Sequence, residues 1–450
     1  MDTPIIDYVN DYIKSGTTRF HMPGHKGVSF LGFEAFDITE IGGADDLSCP
    51  DGIIKQSEEN AAQLFGTKAT LYSTGGSSQS INAMLHLAFI NRKNTEDPPF
   101  VLAARNAHKA FVFAAAKIGF DIKWIYPDES HSLCSAPITA DSLKNELEQS
   151  DGKPFAVYIT TPDYLGGIAR TKEIAEVCHK FDIPLLVDNA HGAYSAFTDE
   201  PFHPILLGAD MCCDSAHKTL PAITGCGYLH IAKNDKYSFC QNAKEAMTIY
   251  GTSSPSYLML CSLDKCNQYI DNDIADDLRA CESNIEVINN ALSQKGLKNI
   301  SDEPVKITVD FTGVEASDFD FAAHFRSNKI EFEYSDNDYV VFMVTAFNSE
   351  MDLQRLLNAI NTLPKFPNAK TEKKVEIIKG TPVMSVRDAI FSKSIVIPVE
   401  QAEGKICGTP TVSCPPAIPI VVSGEKITKK HIEILNKYGK KTISVVIDNN

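Results

Sequence analysis

A chain of 450 residues with 43% hydrophobic and 22% charged side chains, 26 glycines and 23 prolines has ordinary globular composition. That excludes collagen-like, disordered and disulfide-scaffold classes and leaves room for two or three folded pieces with large cores. The 42 basic and 58 acidic residues leave a formal net charge of −16, which repels phosphate backbones and anionic headgroups, argues against nucleic-acid and membrane partners, and mildly favours small cations.

The start Met1-Asp2-Thr3-Pro4 lacks the basic and apolar regions of an export signal, and no apolar run reaches the roughly 18 residues that span a bilayer. A cytoplasmic location is therefore expected, with the 12 cysteines as reduced, mostly buried thiols. Cys212-Cys213 and Cys226 do not form a C-x-x-C pair, and Pro23-Gly24 breaks the helix that His21 and His25 would need to share a metal, so no metal site is expected.

Taken in chain order, Ser57 to Phe65 and Ser78 to Ile90 read as helices and Phe100 to Ala103 as a short buried strand. Ala107 to Ile118 reads as a helix opened by Asn106. Strands are predicted at Ile122 to Tyr126, Ala156 to Thr160, Pro184 to Asp188, Met211 to Asp214 and Gly227 to Ile231, with a helix at Lys172 to Phe181. Short apolar strands alternating with amphipathic helices indicate βαβ units and a mostly parallel central sheet, with ligands beyond the strands' carboxyl ends.

From Ser256 one long helix is expected to run towards Leu292. Looser alternation follows, with strands at Lys306 to Asp310, Tyr339 to Thr345 and Lys393 to Val399, helices at Asp318 to Phe325 and Met351 to Leu363, and a surface linker at Lys365 to Lys374. The organisation read from this is an N-terminal segment at 1–45, a large α/β domain at 46–295 and a smaller α+β C-terminal domain at 296–450.

Four local patterns carry chemistry. Ser215-Ala216-His217-Lys218-Thr219 places a lysine just past a buried strand, where an amine can be partly desolvated as a Schiff-base lysine requires, although a lone lysine after a strand is usually in solvent. Thirty residues earlier the apolar strand Pro184 to Asp188 ends in a carboxylate and continues Asn189-Ala190-His191. Such a carboxylate can hold the protonated nitrogen of a pyridoxal phosphate ring, or simply cap a turn. Thr74-Gly75-Gly76-Ser77-Ser78 opens a helix with free N–H groups and hydroxyls, which suits a phosphate. His108, near the start of the next helix, can lie against a planar cofactor or stand in solvent.

With these residues in view, Phe20-His-Met-Pro-Gly-His-Lys-Gly27, Ser215-Ala-His-Lys-Thr-Leu-Pro221 and Thr252-Ser-Ser-Pro-Ser-Tyr257 resemble the bacterial ornithine/lysine/arginine decarboxylase family, on the aspartate-aminotransferase type of pyridoxal-phosphate fold (fold type I). The likeness runs in order from about residue 17 to 265. It resumes at Glu400 to Gly404 and Pro415 to Pro419, in the manner of the short members that lack an N-terminal wing.

The resemblance implies that Lys218 binds the cofactor covalently and Asp188 pairs with its ring nitrogen. It also implies that His108 stacks on the ring, that Ala190 and His191 border it, and that Gly76, Ser77, Ser78, Ser215 and His217 surround the phosphate. Thr252 and Ser253 would reach the neighbouring subunit's phosphate, so a homodimer with shared sites is implied, acting on a small basic amino acid and releasing its amine, a reaction of polyamine biosynthesis. Asp45-Asp46 and Glu425 are candidates for the substrate's distal cation.

The family usually has Glu where Asn189 stands, often His at Tyr194, His-Pro where Cys49-Pro50 stands, and Gly at Ala417. The rivals are an aminotransferase or carbon–sulfur lyase on the same fold, for which Arg387 would be the carboxylate clamp, and a catalytically idle cofactor-binding homologue.

Overall fold

The structure, a computed structural model, describes residues 1–127, 132–314, 319–366, 377–410 and 417–447. In chain order the elements to residue 294 are α1 (Pro4–Lys14), α2 (Ile53–Phe65), β1 (Ala69–Ser73), α3 (Gly76–Ile90), β2 (Phe100–Ala104), α4 (Lys109–Ile118), β3 (Asp121–Ile125), α5 (Ala140–Gln149), β4 (Ala156–Thr160), α6 (Thr171–Lys180), β5 (Leu185–Asp188), β6 (Met211–Asp214), α7 (Ala216–Thr219), β7 (Gly227–Ile231), α8 (Ala243–Ile249), α9 (Tyr257–Asn272) and α10 (Ile274–Gln294). Beyond them come β8 (Lys298–Asn299), β9 (Lys306–Asp310), α11 (Phe321–Ser327), β10 (Tyr334–Ser335), β11 (Tyr339–Met343), α12 (Glu350–Thr362), α13 (Val386–Phe391), β12 (Ser394–Pro398), α14 (Lys429–Lys437) and β13 (Thr442–Val446).

β4, β6, β7 and β9 have the bounds expected from sequence, and most other predicted elements shift by one to four residues. Two expectations are corrected. α4 is capped not by Asn106 but by His108, whose side chain accepts from the Ala110 N–H. The long helix expected from Ser256 breaks at Asp273, which leaves helical geometry at φ −125° and separates α9 from α10. Most of the expected linker, 367–374, lies outside the described residues.

The chain divides into two compact units of interleaved sequence, residues 1–93 with 171–277 and residues 94–170 with 278–450. In the first unit the strand order is β1-β7-β6-β5, with β5 and β6 parallel and β7 antiparallel to both of its neighbours. α3 packs on β6 and β7. It is apolar nearly all round, with Ile81, Met84, Leu85, Leu87 and Ala88 buried, as a helix inside a core must be. α1, α2 and α9 pack against one another at the β1 side. α2 stops at Gly66, which takes the left-handed conformation at φ 67° that a helix C-terminus favours.

In the second unit β2 pairs in parallel with both β3 and β4, an antiparallel sheet runs β10-β11-β9-β8, and β12 pairs with β13. Parallel pairing thus dominates the strands between residues 100 and 214, while the C-terminal strands are antiparallel. α5, α12 and α14 open with reciprocal capping boxes at Thr139, Ser349 and Thr428. Among the described residues no helix is long and apolar enough to cross a membrane.

Candidate active site

β5 ends at Asp188, which is 2% exposed and stands opposite Cys213 in the parallel ladder with β6. The Cys213 thiol lies 3.7 Å from Asp188 Oδ1, and the Ala190 N–H donates to the same oxygen at 3.2 Å. Side chains alternate along a strand, so the next residues, Asn189 and Asp214, turn to the opposite face. There Asn189 Nδ2 donates to Asp214 Oδ1 at 2.7 Å.

Past β6, buried Ser215 leads into the single turn α7 that carries Lys218. Lys218 Nζ stands 2.8 Å from Nε2 of His191, three residues beyond Asp188. An ammonium at this distance donates to Nε2, and a neutral amine accepts from a protonated Nε2, so the pair can pass a proton either way. The contact brings the segment after β6 onto the segment after β5. Lys218 and Asp188 thus stand at the ends of neighbouring strands, where a parallel sheet places its chemistry.

The third element is the start of α3. Gly75 precedes it, Gly76 is left-handed at φ 65° with its N–H given to Gly225 O at 2.8 Å, and half-buried Ser77 and exposed Ser78 begin the first turn. Gly227 lets this turn press on β7, since a Cβ there would come within 2.7 Å of Asp214 O and 3.1 Å of Gly76 C. His217 Nδ1 lies 2.8 Å from Cys226 O, and the ring's Cε1 would sit 3.7 Å from a Cβ at Gly76.

Thr252 and Ser253 are exposed and line, with Glu40, Asp46, Thr74 and Lys244, a cavity of about 380 Å³. The residues expected to bind the cofactor, except His108, belong to the first unit. His108, in the second, is half-buried at the cap of α4, its Nδ1 accepting from Ala110 N at 3.1 Å.

Other candidates have structural work. Asp45 is buried and accepts backbone N–H groups from Asp46, Asp51, Gly52, Ile54 and Lys55 at 2.8 to 3.3 Å, so it caps α2. Burial raises its pKa, but these bonds outweigh that and hold the carboxyl below the usual range. Arg387 donates from Nη1 to Ala116 O and Lys117 O at 2.7 and 3.2 Å, closing the end of α4. Glu425 is buried and accepts from Val422 N at 2.8 Å; burial raises its pKa, and the Arg105 charge works against that rise.

Sequence reasoning missed a cluster behind β5 and β6. Asp214 Oδ2 lies 3.0 Å from His203 Nε2 and 3.1 Å from His230 Nε2, all three side chains fully buried. The signal was present as Asp214 and His230 standing in otherwise apolar strands, but their meeting with His203 joins three separate segments.

The first unit's residues fit a phosphorylated pyridine aldehyde. The first turn of α3 has N–H groups without intrahelical partners beside two serine hydroxyls, the lysine amine is held by an imidazole, and a buried carboxylate ends β5. The sequence profile of the Orn/Lys/Arg decarboxylase major domain matches residues 3–300, and that of the family's C-terminal domain matches 369–441. The chain belongs to the Orn/Lys/Arg decarboxylase family.

An arginine decarboxylase of Bacillus anthracis is 30% identical over 471 residues, covering 97% of this chain and 93% of its own length. Another, from Bacillus subtilis, is 29% identical with the same coverage of each chain. Among solved structures, the E. coli constitutive lysine decarboxylase superposes with a TM-score of 0.78 at 17% identity, over 99% of this chain and 82% of that one. The fold is accordingly fold type I of pyridoxal-phosphate enzymes, and the family implies that cofactor.

Proposed function

We propose that this family member decarboxylates a basic amino acid to its amine and carbon dioxide, with arginine the first substrate to test. The observation that carries the reading is the Lys218–His191 contact beside Asp188 at the ends of β5 and β6. The arginine decarboxylase relatives aligned over nearly the whole chain support the substrate class.

Pyridoxal phosphate, when bound, supplies an electron sink for the pair left behind as the carboxylate departs. Lys218 would hold the cofactor, and its amine, exchanging a proton with His191 Nε2, can return a proton to the substrate carbon. Asp188, kept from water, would keep the ring nitrogen protonated. Ser77, Ser78 and the first-turn amides of α3, with Ser215 and His217, would take the phosphate. His108 is assigned to the ring face, Ala190 and His191 to its surroundings, and the cofactor-binding role to segment 46–295.

A homodimer completes the reading, with the partner subunit's Thr252 and Ser253 near the phosphate. In support, Phe20, Phe30 and Leu31 are 92, 87 and 71% exposed, an apolar surface that water disfavours. Transamination is disfavoured because Arg387, its expected carboxylate clamp, is spent on the carbonyls ending α4.

The test is incubation of cofactor-loaded protein with arginine, lysine and ornithine together, followed by mass spectrometry. Equal amounts of carbon dioxide and one primary amine are expected without an added keto acid, and none from Lys218→Ala. A requirement for a keto acid, or turnover surviving in that variant, would contradict the proposal.

A further inference from the structure

The reverse face of β5 and β6 holds a charge with an unusual set of partners. Asp214 is 0% exposed, and its two oxygens are shared among three N–H groups. Asn189 Nδ2 donates to Oδ1 at 2.7 Å, and His203 and His230 approach Oδ2 through Nε2 at 3.0 and 3.1 Å. The His230 ring continues the chain of bonds through Nδ1 to Thr70 Oγ1 at 2.9 Å, which fixes its Nε2 as the donor to Asp214 when the threonine hydroxyl donates. Phe65 walls the pair in, with ring centroids 5.5 Å from His203 and 4.4 Å from His230.

Burial alone would raise the Asp214 pKa, but the charges and hydrogen bonds of His203 and His230 win and hold it well below the usual carboxylate range. His230 itself is pushed down, burial outweighing the attraction of Asp214. The cluster is thus a buried carboxylate bonded to the side chains of Asn189, His203 and His230. Truncating any member would orphan a buried polar group.

Its position matters more than its stability. Asn189 directly follows Asp188, and Asp214 directly precedes the Ser215–Lys218 turn. Beside the backbone bond from Asn189 N–H to Cys213 O at 2.9 Å, the Asn189–Asp214 side-chain bond therefore ties the strand end that carries the acid to the strand end that carries the amine.

We propose that Asp214, read through Asn189, is a positioning residue that fixes the spacing of Asp188 and Lys218. It touches neither substrate nor cofactor. This chain carries the amide at 189 and the matching carboxylate across the bond at 214. Donor and acceptor at the two positions must be complementary, whichever side holds the charge.

The inference rests on the decarboxylase reading for its kinetic consequence but not for its structural one. Asn189→Leu removes the donor to Asp214 and Asn189→Asp sets two carboxylates against each other, whereas the double exchange N189D/D214N restores one donor facing one acceptor. In the loaded enzyme each single variant should lower kcat by about 100-fold, the scale of a small misplacement of reacting groups, with KM little changed. Each should also shift the pH midpoint of the bound cofactor's visible absorbance. The double exchange should return the midpoint to that of the parent and recover most of kcat.

In the cofactor-free protein, amide hydrogen exchange of Lys218 and Leu220, which donate to Ser215 O and Ala216 O, should quicken in the single variants and slow again in the double one. Three results would overturn the assignment: single variants that lose thermal stability while keeping the parent kcat and absorbance midpoint; a double exchange no better than the singles in any of the three readings; or one equivalent of a transition metal in the purified protein, held by His203, Asp214 and His230. If the parent proves inactive on every basic amino acid, the functional reading fails, and hydrogen exchange still decides the positioning role.

Discussion

Two buried polar clusters, one at the ends of β5 and β6 and one around Arg105 in the second unit, use the same residue types differently. Arg105 is 4% exposed and donates from Nη1 to Pro419 O at 2.8 Å and from Nη2 to Ile420 O at 3.1 Å, with its guanidinium 5.1 Å from the Trp124 ring centroid. It donates to carbonyls, which exchange no proton, and lies against an aromatic face with Glu425 nearby. Lys218 instead meets an imidazole, the one side chain that exchanges a proton readily near neutral pH. The cluster around Arg105 braces a chain segment, while the one at the ends of β5 and β6 can move a proton.

Asp188→Ala should separate the two most sharply. Turnover should fall by at least about 100-fold while the cofactor still binds, because only the charge opposite the ring is lost. Steady-state rates alongside cofactor absorbance check this, and a variant with near-parental turnover would erase the contrast. Arg105→Leu should act on stability instead: with the buried Pro419 and Ile420 carbonyls left without their donor, unfolding free energy in urea should drop by about 3 kcal/mol. Undiminished stability with abolished turnover would move Arg105 into the catalytic machinery.

His431 sharpens the same contrast through pH. Its Nδ1 accepts the Thr428 N–H at 3.1 Å, and burial, reinforced by the Arg105 charge, holds its pKa at about 4. The fold therefore favours the neutral ring. Its contribution is complete above the unfolded value near 6.5 and is lost as pH falls towards 4, about 3 kcal/mol in all. Unfolding measured at pH 4.5 and 7.5 should show this loss in the parent and much less of it in His431→Asn. Equal slopes would show that the histidine is not neutral in the fold.

The smallest effect is at Ala417, which is left-handed at φ 56°, while its carbonyl accepts the Lys109 N–H beside His108 at 2.9 Å. Ala417→Gly relieves a conformation that disfavours a Cβ and should stabilise by about 1 kcal/mol in thermal unfolding. A destabilised variant would mean that the methyl group's packing outweighs the backbone strain.

What was legible in the sequence followed from local chemistry. β4, β6 and β7 announced themselves as short apolar runs, and the lysine, strand-end aspartate and glycine-serine turn were each readable in place. Contacts between distant segments were not. The α4 start moved from Asn106 to His108 because Arg105 and Lys109 are pinned to residues 417–420, more than 300 positions away. The break at Asp273 carries no glycine or proline to mark it. Asp45 reads as an acidic loop residue until four backbone amides around the α2 start converge on it, and Arg387 as a free cation until α4 ends against it.

The most direct test of the central claim is borohydride reduction of the protein saturated with pyridoxal phosphate, followed by peptide mapping. One pyridoxyl group per chain on Lys218 is the expected result. A label on a different lysine, or protein that stays colourless and unlabelled, would contradict it.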